Sequence, residues 1–237
     1  MKKTVVFLPG WGFDQSIWED FVEPLANKIN PIFLDWNHLE DVNDINTIAT
    51  EVIAELRKDK SEIIVVGWSL GTLVALDLAK NFPEVSRLIL FAPTSSFVQR
   101  DEYPIGWDAR VVRRMKRQLG RDTETVKEQF AEQVLTVAEQ KLFRVELSET
   151  QTKNSLMAGL DYLIVQDSRM TLADIKQPTL IIQGEADQIC PQAGAVYIAE
   201  HVAGIVSTLF IKGAGHAPFI TKRELCLERV RDFLGVG

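Results

Sequence analysis

The stretch VVGWSLG, residues Val65 to Gly71, places Ser69 between two glycines directly after a run of β-branched residues. The run EIIVV (Glu62–Val66) predicts a strand, and LGTLVALDLAKNF, which begins at residue 70, predicts a helix with apolar positions at 70, 73, 74 and 78. Between a strand and a helix, the glycines of a G-x-S-x-G sequence permit a sharp turn that raises the serine hydroxyl above the sheet edge. Taken alone, the stretch is equally compatible with a tight turn whose serine has no chemical role.

The rest of the chain alternates short apolar runs with helical patterns. The apolar runs are nearly continuous, which is typical of strands buried on both faces of a parallel sheet, and they cover Thr4–Leu8, Pro31–Asp35, Glu62–Val66, Arg87–Phe91, Thr179–Gln183 and Val206–Ile211. The helical patterns cover Trp18–Lys28, Ile45–Lys58, Leu70–Asn81, Ala193–Ala203 and Arg223–Phe233. This alternation predicts an α/β fold with a mostly parallel sheet of about six strands flanked by helices.

The alternation is interrupted once, between residues 100 and 170, where the sequence is polar or amphipathic and predicts helices only. We therefore expect a core built from residues 1–99 and 171–237, with residues 100–170 inserted as a helical cap, called the cap segment below. The chain has 237 residues, 46% of them hydrophobic, which is enough for one large domain with an insertion.

Composition indicates which partners the protein is expected to bind and in which compartment it is expected to act. The net charge of −7 argues against general affinity for nucleic acid or an anionic membrane. No run approaches the roughly 20 apolar residues that span a bilayer, and two cysteines, Cys190 and Cys226, are expected to be reduced thiols. The sequence predicts a cytoplasmic protein without metal or organic cofactor, since it shows neither a clustered His/Cys ligand set nor a phosphate-binding glycine loop.

A serine nucleophile needs a base, and the chain has three histidines. His38 follows the second strand and His201 ends a helix, so surface or packing roles suffice for both. His216 lies in IKGAGHAPF directly after the last strand, in a loop of small residues. That position is at the carboxyl end of a parallel strand, where α/β sites assemble.

The third group of a triad is an acid that orients the base. Asp187 in QGEADQICP lies just past the strand Thr179–Gln183, and Glu185 is its nearest rival. The order Ser69, Asp187, His216 is the chain order of the α/β-hydrolase triad, and each residue follows a predicted strand. The coincidence of three positions favours the catalytic interpretation over a structural one.

Acyl transfer also needs donors for the developing oxyanion. The N–H of Leu70, directly after the serine, is one candidate. The second is expected in the loop LPGWG after the first strand, and we assign it to the N–H of Trp11. The Trp11 side chain is then predicted to form a wall of the acyl pocket.

LPGWGFDQSIW, VVGWSLG, GEADQICP and GAGHAPF together resemble the α/β-hydrolase superfamily across the whole chain. Within it, GWG, GWSLG, RDEYP (Arg100–Pro104) and HAPFI are most similar to the esterases of biotin synthesis that act on pimeloyl-carrier-protein methyl ester. The resemblance implies a carboxylesterase in which Ser69, Asp187 and His216 are catalytic and no cofactor is used.

The resemblance extends to the pocket and departs from the family in two places. TVKEQF (Thr125–Phe130) is similar to a cap stretch that lines the acyl channel, which implies Phe130, Ala131 and Val134 as substrate-binding residues beside Trp11. The family's usual His-Gly before the tryptophan is Pro9-Gly10 here, and we expect the oxyanion hole to survive because it uses the Trp11 amide. The antiparallel hairpin that usually precedes the first parallel strand is expected to be absent.

The cap segment carries one unusual charge feature. ARVVRRMKRQLGR, Ala109–Arg121, has six basic residues and no acidic one. On a helical wheel one face carries Arg110, Arg113, Arg114, Arg117 and Arg121, whereas Val111, Val112, Met115 and Leu119 take the opposite face. A stripe of one sign favours an acidic partner. The resemblance implies acyl carrier protein, with Lys141 and Arg144 as further docking candidates; a solvated face or a small polyanionic substrate are the alternatives.

The sequence predicts a serine carboxylesterase, and other activities on the same scaffold stay open. These are a broad short-chain esterase, a carbon–carbon hydrolase and a lyase of the menaquinone-pathway type. A ligand-binding homologue that keeps the triad as a relic is a further alternative, although an intact triad and two oxyanion positions argue against it.

Overall fold

The structure is a computed structural model that describes residues 2–59 and 62–236. In these residues the chain forms one sheet of six strands, all parallel, with the order β2-β1-β3-β4-β5-β6. The strands are β1 (Lys3–Leu8), β2 (Ile29–Phe33), β3 (Ile63–Trp68), β4 (Val85–Phe91), β5 (Thr179–Gly184) and β6 (Val206–Ile211). The predicted α/β fold with a parallel sheet of about six strands is confirmed.

The α-helices follow the strands in the predicted order, except that three lie together between β4 and β5. They are α1 (Glu19–Val22), α2 (Asp44–Leu56), α3 (Leu70–Asn81), α4 (Ala109–Arg121), α5 (Thr123–Val134), α6 (Lys153–Val165), α7 (Gln192–His201), α8 (Pro218–Thr221) and α9 (Arg223–Leu234). The helix predicted over Trp18–Lys28 is wrong in extent: only α1 is α-helical, and 3₁₀ turns Gln15–Trp18 and Glu23–Leu25 flank it. Pro24 in the second turn lacks the N–H that a continuing helix would use.

The second strand begins two residues earlier than predicted and ends at Phe33. It pairs with β1 only, with Lys3 opposite Ile29 and Phe7 opposite Phe33, so it is the edge of the sheet. An edge strand tolerates Pro31 because one side of its backbone has no partner strand.

The strand order creates a crevice at one position. The chain runs from β1 outward to β2, and then returns to place β3 on the other side of β1. The loops that leave the carboxyl ends of β1 and β3 therefore diverge, and ligands of open α/β sheets bind at such a switch point. These two loops carry Trp11 and Ser69, and the loops after β5 and β6 carry Asp187 and His216.

Close packing of α3 on the sheet fixes the turn at Ser69. All six residues of β3 are buried, and α3 presses against β1 so closely that a Cβ on Gly71 would lie 2.3 Å from the Leu8 carbonyl oxygen. A Cβ on Gly67 would lie 2.5 Å from the Gly71 oxygen. A side chain at either position would clash with backbone atoms, so both positions require glycine.

The cap segment contains α4, α5 and α6 between β4 and β5, and its limits at 100 and 170 stay a proposal. An isolated antiparallel bridge between Ser96 and Asp167 brings together the chain that enters the cap segment and the chain that leaves it. The Arg100 guanidinium donates to carbonyl oxygens at the end of α6, including that of Ile164 at 2.6 Å. Arg100 and Tyr103 also exchange backbone hydrogen bonds, so the RDEYP stretch forms a tight turn at the base of the cap segment.

We expect Gly71→Ala to lower the free energy of unfolding by about 1–3 kcal/mol or more, because overpacking against fixed backbone forces a shift of α3 or β1. Urea denaturation monitored by circular dichroism measures this. Gly120→Ala is the matched control: nothing lies within 4 Å of a Cβ there, and its helical position predicts a gain of about 0.5–1 kcal/mol. Equal stability of the two variants would contradict the packing argument.

Candidate active site

Ser69 occupies a strained backbone conformation between β3 and α3. Its φ is 54° and its ψ is −115°, in the half of conformational space that L-residues rarely adopt. The Ser69 N–H donates to the Phe91 carbonyl at 3.1 Å, and the Ser69 carbonyl accepts from the N–H and the hydroxyl of Thr72 at 2.9 and 2.6 Å. Strain of this kind persists where the surroundings over-determine it, and it gathers at functional sites.

His216 is 1% exposed, and both its backbone N–H and its backbone carbonyl are hydrogen-bonded. Its backbone N–H donates to the Val134 carbonyl at 2.9 Å, and its carbonyl accepts from Trp68 Nε1 at 2.8 Å. Its ring Nδ1 lies 2.8 Å from Asp187 Oδ2, whereas Nε2 is buried and has no hydrogen-bond partner among residues 2–59 and 62–236. With Nδ1 bonded to a carboxylate, Nε2 is the nitrogen free to accept a proton.

The Asp187 side chain is fully buried, and its carboxylate accepts four hydrogen bonds. The N–H groups of Ile189 and Cys190 reach Oδ1 at 2.8 and 3.0 Å, and Gln183 Nε2 and the His216 ring share Oδ2. These donors fix the direction in which the carboxylate faces the imidazole.

Glu185, the rival acid, is exposed, so the geometry favours Asp187. His38 is exposed, and His201 is exposed and stacks on Tyr197 with ring centres 4.0 Å apart. The structure thus brings the side chains of Asp187 and His216 together and places the other two histidines at the surface.

Sequence reasoning missed Gln183. The residue is fully buried at the end of β5, and its amide donates to Asp187 and to the carbonyl oxygens of Gly184 and Cys190. A single polar residue at the end of an apolar strand is the signal that could have found it.

The loop after β1 is shaped by contacts with the cap segment. Trp11 is buried, its Nε1 donates to the Leu156 carbonyl at 2.8 Å, and its ring meets Phe130 edge to face with centres 4.9 Å apart. The Gly12 carbonyl accepts from the Ser148 N–H at 2.8 Å. Leu70 is the first residue of α3, so its N–H has no acceptor within the helix.

A cavity of about 260 Å³ lies between α4 and α5. Its walls are largely apolar, with four polar side chains among them, and the lining residues are Phe97, Trp107, Val111, Val112, Arg114, Met115, Gln118, Val126, Gln129, Phe130 and Gln133. Phe130 belongs both to this cavity and to the contact with Trp11, so the cavity adjoins the loop after β1. The other two predicted pocket residues lie elsewhere: Ala131 lines a separate groove, and Val134 is fully buried beside the His216 loop.

The basic residues of α4 fall into two groups. Arg110 forms an ion pair with Asp108, whose pKa it lowers to about 2 through side-chain hydrogen bonds, and Lys116 pairs with Asp161. The other four are exposed, and none has a carboxylate within 4.0 Å among the described residues; they are Arg113, Arg114, Arg117 and Arg121, called the arginine surface below. Val111, which the wheel places with Val112 and Met115, lines the cavity with them and is 46% exposed.

Lys141 and Arg144 have different surroundings. They line a groove of about 1090 Å³ between α5 and residues 135–149, together with Glu124, Glu128, Glu132, Glu146 and Glu149. Five carboxylates around these cations make the groove a poorer match for an acidic partner than the arginine surface.

The two cysteines are buried. Burial raises the pKa of the Cys190 thiol well above its ordinary value, the nearby Asp187 carboxylate raises it further, and the Ser69 side chain acts in the opposite direction. Burial raises the pKa of Cys226 to about 12.

Comparison with known proteins gives a consistent family. The sequence model of the Alpha/beta hydrolase family matches residues 5–229. A pimeloyl-[acyl-carrier protein] methyl ester esterase from Nitrosomonas europaea is 30% identical over 93% of this chain and 91% of its own length. Its namesake from Xanthomonas axonopodis pv. citri is 30% identical over 98% of this chain and 94% of its own length.

Solved structures share the fold. An esterase from Exiguobacterium antarcticum superposes with a TM-score of 0.88 at 24% identity and covers 98% of this chain and 92% of its own. A thermophilic esterase from Thermogutta terrifontis superposes with a TM-score of 0.83 at 18% identity and covers 99% and 90%. No helix within the described residues combines the length and the apolar character needed to cross a membrane.

We expect Asp187→Asn to lower kcat on a simple ester by about 10³–10⁴-fold with little change in fold, because the amide stabilises the wrong imidazole tautomer and no imidazolium. Steady-state hydrolysis of p-nitrophenyl butyrate measures the loss, and Glu185→Gln is the matched control, with activity unchanged. Comparable activity of the two variants would remove Asp187 from the site.

We expect neither thiol to react in the native protein at pH 8, since raised pKa values keep both thiols neutral and burial blocks access. Titration with Ellman's reagent before and after unfolding in guanidinium chloride checks this. Two thiols should appear only after unfolding; stoichiometric labelling of the native protein would contradict the buried arrangement.

Proposed function

This chain belongs to the α/β-hydrolase family and is a carboxylic ester hydrolase, and we propose that Ser69, His216 and Asp187 form its catalytic triad. The observation that carries the proposal is the state of the His216 ring, whose Nδ1 is bonded to Asp187 while Nε2 is buried without a partner among the described residues. A buried nitrogen without a hydrogen-bond partner destabilises the fold, so its presence calls for an explanation such as a catalytic role.

In the proposed reaction His216 Nε2 removes the Ser69 proton as the hydroxyl oxygen attacks the ester carbonyl. Asp187 holds the imidazole in the required tautomer and stabilises the imidazolium that forms. The imidazolium then gives its proton to the departing alcohol, and water, activated by the same nitrogen, hydrolyses the acyl-enzyme.

Two backbone N–H groups are proposed to stabilise the oxyanion. Leu70 supplies the first, at the start of α3, where the helix dipole favours negative charge. Trp11 supplies the second, from the loop that Trp36 Nε1 holds through the Pro9 carbonyl at 3.0 Å. Fixed donors of this type are often the largest contribution to acyl transfer.

We further propose that the substrate is the methyl ester of a pimeloyl chain carried by acyl carrier protein. Relatives that this chain matches over more than nine-tenths of its length are named for that activity. The cavity between α4 and α5 supports the proposal because its apolar walls suit an acyl chain and its lining reaches from Phe130 to Arg114. Arg114 also belongs to the arginine surface, so the cavity adjoins the candidate docking face.

The docking face is proposed for an acidic carrier protein. The arginine surface stands on a chain whose net charge is −7, so the positive charge is local. Arg110 is a weaker contributor because Asp108 neutralises it, and Lys141 and Arg144 are weaker because of the surrounding glutamates.

Paired kinetics tests the substrate. We expect kcat/KM for pimeloyl-carrier-protein methyl ester to exceed that for p-nitrophenyl butyrate by at least about 10²-fold, since the cavity and the arginine surface contribute only to the former. Ser69→Ala should abolish both activities. Turnover of the small ester alone would indicate a broad short-chain esterase, and activity that survives in Ser69→Ala would exclude the proposed triad.

Charge reversal tests the docking face separately. We expect Arg113→Glu/Arg117→Glu to lower kcat/KM for the carrier-bound ester by about 10–100-fold, mainly through KM, and to leave turnover of p-nitrophenyl butyrate unchanged. The control Arg57→Glu/Lys176→Glu alters net charge equally at exposed positions outside the cap segment. If both double variants behave alike toward the carrier-bound ester, the arginine surface is not the docking face.

A further inference from the structure

Glu139 is a buried carboxylate of the cap segment that reaches the loop of His216. It begins the 3₁₀ turn Glu139–Lys141 and is 5% exposed. The Gly215 N–H lies 3.1 Å from its Oε2 and 3.3 Å from its Oε1. The same Oε2 accepts from the Thr136 N–H at 2.9 Å and from the Thr136 hydroxyl at 3.0 Å. The carboxylate thus bonds its own turn and the residue before His216.

The His216 loop therefore depends on the cap segment at two successive amides. The Gly215 N–H donates to Glu139, and the His216 N–H donates to the carbonyl of Val134, the last residue of α5. A Cβ on Gly215 would lie 2.8 Å from Glu139 Oε2 and 2.9 Å from the Val134 oxygen, so only glycine permits this approach.

We propose that Glu139 is a positioning residue for the reaction: it holds the His216 loop against the cap segment in the geometry in which Nδ1 meets Asp187. The inference rests on the proposed role of His216 as the base. A displacement of about 1 Å at a reacting group can cost about 10²-fold in rate. Removal of the acceptor also leaves a buried Gly215 N–H without a partner, which favours movement of the loop toward another one.

The positioning role of Glu139 depends on the length of its side chain, because Oε2 accepts hydrogen bonds from both Thr136 and Gly215. A glutamine whose carbonyl oxygen takes the place of Oε2 keeps the bonds from Thr136 and Gly215, although its NH₂ then faces the Gly215 N–H. Aspartate keeps the charge but is one methylene too short to bond Gly215 and its own turn together. A positioning role thus predicts more activity in Glu139→Gln than in Glu139→Asp, whereas a purely electrostatic role predicts the opposite order.

The test measures kcat and KM of four forms on p-nitrophenyl butyrate, so that carrier docking plays no part. We expect Glu139→Ala to lower kcat by about 10²-fold with KM within about twofold, Glu139→Asp by at least about tenfold, and Glu139→Gln by less than either. Proton NMR should show the downfield signal of the His216–Asp187 hydrogen bond weakened in the same order. Glu132→Ala, which removes an exposed glutamate at the end of α5, is the matched control and should match the wild type.

Wild-type kcat and an unchanged NMR signal in folded Glu139→Ala would overturn the inference, as would the order Asp above Gln. If Glu139→Ala does not fold, the Gln and Asp variants decide, and wild-type behaviour of both overturns it. Ser69→Ala is measured in the same assay. Retained turnover there refutes the triad itself, whereas lost turnover in Ser69→Ala beside full activity in the Glu139 variants refutes only the role of Glu139.

Discussion

The strained backbone of Ser69 is the constraint on which the rest of the site depends. A non-glycine residue at positive φ costs about 1–3 kcal/mol, and the surrounding structure must make every alternative worse. It does so from three sides: β4 accepts the Ser69 N–H, α3 donates twice to its carbonyl, and the close approach of α3 to β1 leaves no room for relaxation at Gly71. The order of the strands is thus a requirement of the serine turn, since β3 must lie between β1 and β4 for these contacts to exist.

The histidine loop is held differently, because much of its support comes from outside the sheet. Gly184 at the end of β5 approaches it so closely that a Cβ would lie 2.1 Å from the Gly215 oxygen, which fixes one side. The other side consists of acceptors from residues 134–139. The loop after β1 is bonded to the cap segment as well, through the Gly12 carbonyl and the Trp11 indole. Residues 134–156 therefore hold two of the loops that carry the proposed site.

The sequence was sufficient to predict what repeats along the chain. Six strands follow from continuous apolar runs, and the candidate site residues were proposed from their position after those strands. Contacts between distant segments could not be predicted: Gln183 and Glu139 are common residue types, and their hydrogen bonds to Asp187 and Gly215 form only in the folded chain. The helix predicted at Trp18–Lys28 failed because its apolar period continues through Pro24, which ends helical hydrogen bonding.

The distribution of charge on α4 bears on whether the partner of this helix is a small polyanion or an acidic protein. The cations that pair within the chain, Arg110 and Lys116, have carboxylates supplied by Asp108 and Asp161. The remaining arginines include Arg113, Arg117 and Arg121, which recur every four residues and so extend over about 12 Å of helix at 1.5 Å per residue. A small polyanion would contact one or two of them and leave the others repelling each other. An acidic helix or loop of comparable length can neutralise them all, which favours a protein surface as the partner of this face.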